Sequence, residues 1–231
     1  MPARAETPAR IVDLSHPIRA GLVTYPGLPA PEITPFLTRE DSRGKYAPGT
    51  EFAMDVITMI GNTGTYLDSP FHRYGDGADL AGLDLATLVD LPTEVFHLGA
   101  LISPERRAIT ADLVSGRDVR GAAVLLHTGW DRLFATEAYG HGAPFLTGEA
   151  AQALIDGGAV LVGIDSVNID DTESGGERPA HSSLLRAGVH VVEHLTRLGD
   201  LPERGARFTA APPAVEGFGT FPVRAFARVI A

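Results

Sequence analysis

The sequence predicts a single mixed α/β domain with a β-rich half. Three observations lead there. Short alternating or apolar runs outnumber helical ones. One helical stretch, near Leu146–Ile155, leads directly into an apolar strand at Ala159. Neither an internal repeat nor a long linker divides the 231 residues, a length that suits one large domain.

The elements follow in order. Residues Met1–Ala9 are rich in Ala and Pro and lack periodicity, so they are expected to be a flexible start, with the domain proper spanning 10–231. Ile11–Ile18 alternates and reads as a strand ending near Pro17. Gly21–Pro35 carries four prolines and reads as a structured loop. Phe52–Ile60 is a stronger strand, with Phe52, Met54, Val56 and Thr58 on one face, and it runs into a loop over Gly61–His72. Strands are expected at Thr93–Leu98, Ala122–His127, Ala159–Asp165 and Val189–His194, then at Arg207–Ala211 and Val223–Ile230. The helix near Leu146–Ile155 has Thr147 as its cap and Gly157-Gly158 as its stop. A second short helix at Ser182–Arg186 ends at Gly188.

Composition narrows the function. The formal charge is −10 and the basic residues are scattered, which argues against a nucleic-acid partner. Cysteine is absent, so disulfides, thiolate metal sites and a cysteine nucleophile are excluded, and a metal would need His, Asp or Glu. No apolar stretch approaches the roughly 20 residues of a membrane span. The expectation is a soluble cytoplasmic protein with a small-molecule substrate.

Two clusters carry chemistry. Gly64, Thr65, Asp68, Pro70 and His72 fall within nine residues directly after a strand. Asp68 can ligate a hard cation, and His72 can ligate a metal or act as general base. The plainer alternative is an Asx-type turn at Asp68-Ser69-Pro70 with His72 solvated, and composition alone slightly favours it. The second cluster is His181 and Glu193. Glu193 stands among Val189, Val191, Val192 and Leu195, where a carboxylate must be paired or a ligand. His190 and His194 are expected to be structural or exposed. Asp68, His72, His181 and Glu193 would together suit Zn²⁺ or Mn²⁺, but spacing alone does not bring them together. Asp170-Asp171-x-Glu173 reads as a solvated face, with a place flanking the pocket as the alternative, and Trp130 as packing. Ser69, Ser166 and Ser182 lie in no Gly-x-Ser-x-Gly elbow.

The segment Asn62-Thr63-Gly64-Thr65-Tyr66-Leu67-Asp68-Ser69-Pro70-Phe71-His72 resembles the His-x-Gly-Thr-His-x-Asp-x-Pro-x-His motif of the cyclase family, which includes bacterial kynurenine formamidases and isatin hydrolase. The family also places a His and a Glu twelve residues apart, as are His181 and Glu193. Asp13-Leu14-Ser15-His16-Pro17-Ile18, Tyr25-Pro26-Gly27, Leu125–Trp130 and Val162–Ser166 are similar to family segments too. The resemblance covers about residues 10–230.

That resemblance implies a swivelling β/β/α fold and hydrolysis of an amide C–N bond in an aryl formamide or cyclic small molecule. It implies Asp68, His181 and Glu193 as metal ligands and His72, with Asp68, as catalytic. Asn62 and Tyr66 stand where the family has two ligand histidines. They are therefore expected to face substrate, together with Tyr25, and either one divalent metal (Zn or Mn) or none is expected. The alternatives are a metal-independent cyclase or lyase using Asp68, His72 and Tyr66, or a binding relative without catalysis. The resemblance also implies a homodimer or homotetramer.

Overall fold

The computed structural model describes residues 9–229. The flexible start expected for 1–9 falls, Ala9 apart, outside them, as does Ile230 of the last expected strand. The strands are β1 (Arg10–Asp13), β2 (Glu32–Leu37), β3 (Met54–Thr58), β4 (Tyr66–Asp68), β5 (Leu91–His97), β6 (Ala108–Ile109), β7 (Ala123–His127), β8 (Phe145–Leu146), β9 (Leu161–Ile164), β10 (His190–Glu193), β11 (Arg204–Thr209), β12 (Thr220–Pro222) and β13 (Phe226–Val229). The helices are α1 (Arg39–Ser42), α2 (Ala111–Val114), α3 (Gly148–Asp156) and α4 (Pro179–Arg186). None is long and apolar enough to cross a membrane.

Nine strands form one mixed sheet in the order β1-β13-β11-β5-β7-β9-β10-β4-β12. Its centre, β5-β7-β9-β10, is parallel, and the flanking pairs are antiparallel. The innermost strands, β7 and β9, read as near-continuous apolar runs because both their faces are covered. Val95, Leu125, Leu161 and Val192 turn to one core with Leu14, Leu67 and Phe208. Phe96, Leu126, Val162 and Val191 turn to the other, beneath α3 and α4, with Ala150, Leu154, Ala180 and Leu184. The mixed α/β class is as expected.

Several boundaries moved. The first strand stops at Asp13, and beyond it the Leu14 N–H donates to the Ala225 carbonyl at 2.9 Å while its carbonyl accepts from the Thr196 N–H at 3.0 Å. The stretch read as a loop over Gly21–Pro35 ends in β2. The strand expected at Phe52–Ile60 is real but shorter, and it pairs only with β2, as an exposed hairpin outside the main sheet. The Gly61–His72 segment, read as a loop, instead contains β4, an inner strand between β10 and β12. Its three residues are too few to show a period, so the sheet alone reveals them. On α3, Thr147 accepts from the Ala150 N–H as expected. The second helix begins earlier than expected, at Pro179, where a missing N–H does no harm.

Candidate active site

Register brings the two clusters together. In the β4–β10 pair Tyr66 lies opposite Glu193, and Asp68 opposite Val191. Opposed residues point to the same face. Tyr66, Asp68 and Glu193 therefore share the helix-covered side, while Leu67 and Val192 fill the other core. α4 then lowers His181, in its first turn, onto that face.

The contacts are close. The Tyr66 hydroxyl donates to Glu193 Oε2 at 2.5 Å, and the Ile169 N–H donates to Glu193 Oε1 at 2.6 Å. His181 Nε2 lies 3.4 Å from Asp68 Oδ2 and 3.5 Å from Glu193 Oε1. Behind it, His181 Nδ1 donates to Asp170 Oδ2 at 2.7 Å. Asp170 also accepts from the backbone N–H groups of Ala180 (2.7 Å) and His181 (3.0 Å), so one carboxylate caps α4 and aims its histidine. Asp68, His181, Glu193 and Asp170 are all buried.

Electrostatics follow from that burial. Burial disfavours a charged His181. The Glu193 carboxylate, the hydrogen bond to Asp170 and the Asp68 carboxylate outweigh it and raise the imidazole to about 10. Burial pushes the Glu193 carboxyl up to about 7, against the pull of His181. Burial, then the charges of Glu193 and Asp68, hold the Tyr66 phenol well above its usual range, so it stays a neutral donor.

The cluster fits a divalent cation. Asp68, His181 and Glu193 each offer one ligand atom, all within 4.8 Å of one another. Asp68 Oδ1 is buried without a hydrogen-bond partner, and the carboxylates crowd an imidazole nitrogen that faces inward. A carboxylate behind a histidine is the usual support for a ligating imidazole.

The pocket over the cluster has a volume of about 230 Å³. Asn62, Tyr66, His72, His181 and Glu193 line it, as do Arg73, Asn168, Gly176, Arg178 and Ser182. His72 sits exposed in a 3-10 turn (Pro70–His72), its ring centroid 6.2 Å from that of His181. Gly219 packs against the backbone behind it, where a Cβ would lie 2.5 Å from the His72 N and Cα.

Other expectations fared differently. Tyr25 does not line this pocket. It packs with Trp130, Phe134 and Tyr139 in a separate aromatic cluster. Asp170, read as part of a solvated face, is buried beneath α4, because the chain turns inward after Ile164 with Val167 and Ile169 in the core. The inward Val167-x-Ile169 alternation just before it was the available signal. His190 and His194, expected to be structural or exposed, are both buried, which agrees with the structural alternative. Arg73, Asn168 and Arg178 carried no sequence signal, since their roles depend on the fold bringing three loops to one opening.

The mixed sheet with a buried Asp–His–Glu cluster between two strands and a helix is, by its family membership, the frame of a hydrolase-like enzyme. The chain belongs to the cyclase family: the family described as "Putative cyclase" matches residues 12–171. It is 30% identical over 220 residues to the kynurenine formamidase of Geobacillus thermodenitrificans, covering 94% of this chain and 96% of that one. It is 28% identical over 219 residues to that of Bacillus cereus, covering 95% and 97%. Among solved structures it resembles an isatin hydrolase bound to the product analogue thioisatinate (TM-score 0.82, 26% identity, 96% and 93% covered). It also resembles a predicted metal-dependent hydrolase from Bacillus stearothermophilus (TM-score 0.75, 28% identity, 96% and 99% covered).

Proposed function

We propose that this protein hydrolyses an amide C–N bond of an aryl formamide or cyclic small molecule, with one divalent cation held by Asp68, His181 and Glu193. The buried three-residue cluster with its orphaned Asp68 oxygen carries the reading. A bound divalent cation supplies Lewis acidity, which polarises a carbonyl and acidifies water.

The protein's own groups do the rest. His72, at the rim, takes the proton from attacking water and delivers it to the leaving nitrogen as the C–N bond breaks. Asp170 keeps Nε2 of His181 turned inward. Tyr66 and Asn62, in the positions of two family histidines, face the substrate, and Tyr66 restrains Glu193.

Metal analysis of chelator-free protein resupplied with Zn²⁺ or Mn²⁺ tests the centre. Less than about a tenth of an equivalent would sink it. Turnover of N-formylkynurenine or isatin, abolished by His72→Ala, tests the reaction. The short Tyr66–Glu193 bond favours a second reading, metal-independent acid–base chemistry by Asp68, His72 and Tyr66. Full activity after chelation would select it.

We further propose a homo-oligomer. The β2–β3 hairpin exposes Phe36 (73%), Phe52 (54%) and Ile57 (52%) on neighbouring strands or their flanks, an apolar patch suited to a second copy. Light scattering that finds only monomer would refute this.

A further inference from the structure

We infer that the substrate is a small anion whose carboxylate is held at the pocket mouth by Arg73 and Arg178, with its reacting group turned to the floor. The inference rests on the proposed hydrolase reading for the location of the reacting end.

The charge layout carries it. The pocket floor is acidic: Asp68 and Glu193 line or underlie it, and Asp170 stands behind His181. The chain as a whole is also acidic, at −10. Two guanidinium groups nevertheless line the same opening. Arg107, Arg117, Arg204 and Arg224 each meet a carboxylate. Arg73 and Arg178 have none within ion-pair distance among the described residues.

Each is anchored so that donors remain. Arg178 precedes Pro179 and stands outside the helical region (φ −138°, ψ 63°). Its Nη1 donates to the carbonyls of Glu177 (2.6 Å) and Asp171 (3.3 Å). Its Nε and Nη2 make no hydrogen bond among the described residues. Arg73 makes one long bond, from Nε to Ser182 Oγ at 3.4 Å, which leaves both terminal nitrogens unused. Ser182 follows His181 on α4, so this contact ties the mouth to the floor.

Planar guanidinium donors match a carboxylate in two-bond geometry. A carboxylate there also leaves the floor free for the carbonyl, where a bound divalent cation would offset the charges of Asp68 and Glu193. The pocket therefore has a polarity: anion outward, neutral carbonyl inward.

The test compares 4-formamidobenzoate with its methyl ester, which share the formamide and differ in charge. Calorimetric titration of the full-length His72→Ala protein, which the proposed mechanism leaves unable to turn over, gives affinity for both compounds, so a failed hydrolase reading does not mask the result. The acid is expected to bind about tenfold more tightly than the ester, a difference that shrinks as salt is raised. Arg73→Gln and Arg178→Gln are each expected to weaken the acid by about fivefold and the ester by less than about twofold. Arg178→Glu is expected to reverse the preference. Equal affinity for acid and ester, or equal losses for both in the variants, would overturn the inference. Unchanged melting temperatures confirm that the substitutions leave the fold intact.

Discussion

Asp170 holds the His181 imidazole at 2.7 Å from behind while accepting two backbone N–H groups of the helix that carries it. One carboxylate thereby serves stability and site geometry together. Asp170→Asn keeps the size but replaces an acceptor oxygen by a donor that faces other donors. Metal affinity is expected to fall by about 10–100-fold and stability by about 1–2 kcal/mol. Competitive metal titration and calorimetry measure the two losses separately.

His72 is exposed, so its removal should spare the fold. His72→Ala is expected to lower kcat by about 10²–10⁴-fold and to leave the melting temperature within about a degree. Steady-state kinetics on N-formylkynurenine beside a thermal melt will check this. A large stability loss with intact kcat would show that the residue is structural.

Gly219 permits close backbone contact behind that histidine. A Cβ there would meet the His72 N and Cα at 2.5 Å, so backbone must shift. Gly219→Ala is expected to destabilise by about 1–3 kcal/mol and to reduce kcat through displacement of His72. Crystallography of the variant should find the Pro70–His72 turn moved.

Tyr66→Phe removes the hydroxyl that satisfies Glu193 Oε2. A buried acceptor left unpaired costs about 1–3 kcal/mol. The loss is expected to shrink when a divalent cation is supplied, because Glu193 then has another partner. Chemical denaturation with and without Zn²⁺ measures this; equal losses would count against Glu193 as a ligand.

His190 contributes to acid stability, beside His194 and His16, whose imidazoles burial also lowers, to about 3 and about 4. Burial lowers the His190 imidazole from 6.5 to about 4, and Nδ1 has no partner. Between those values the unfolded state binds a proton that the folded state refuses. Stability therefore rises with pH across the window and falls as pH drops from 6.5 to 4, by up to about 3 kcal/mol from this group. His190→Gln is expected to flatten the slope. Melting curves from pH 4 to 7 on both proteins decide it.

Much of the fold was legible because its signals are local. Thr147 caps α3, Gly157-Gly158 ends it, and the apolar runs of β7 and β9 announce buried strands. The site was legible only in part. Asp68, His181 and Glu193 stood out as chemistry-bearing residues, and the resemblance grouped them. Asp170 was misread, since an acidic run in a sequence looks like a solvated face whether or not a helix later settles on it. Tyr25 was misplaced for the same kind of reason, as a proline-rich loop has no readable direction.

The sequence by itself determined the class of fold, the absence of thiolate chemistry, the small set of side chains able to hold a cation, and the order in which they occur. Only the tertiary structure decided that β4 enters the sheet beside β10, opposing Tyr66 to Glu193. It alone decided which carboxylate stands behind His181 and which two arginines face the opening. The reason is physical. Periodicity, caps and breakers act over a few residues, whereas strand register and helix docking depend on the whole core, and a slip of one residue in β4 would turn Asp68 away from the helix side.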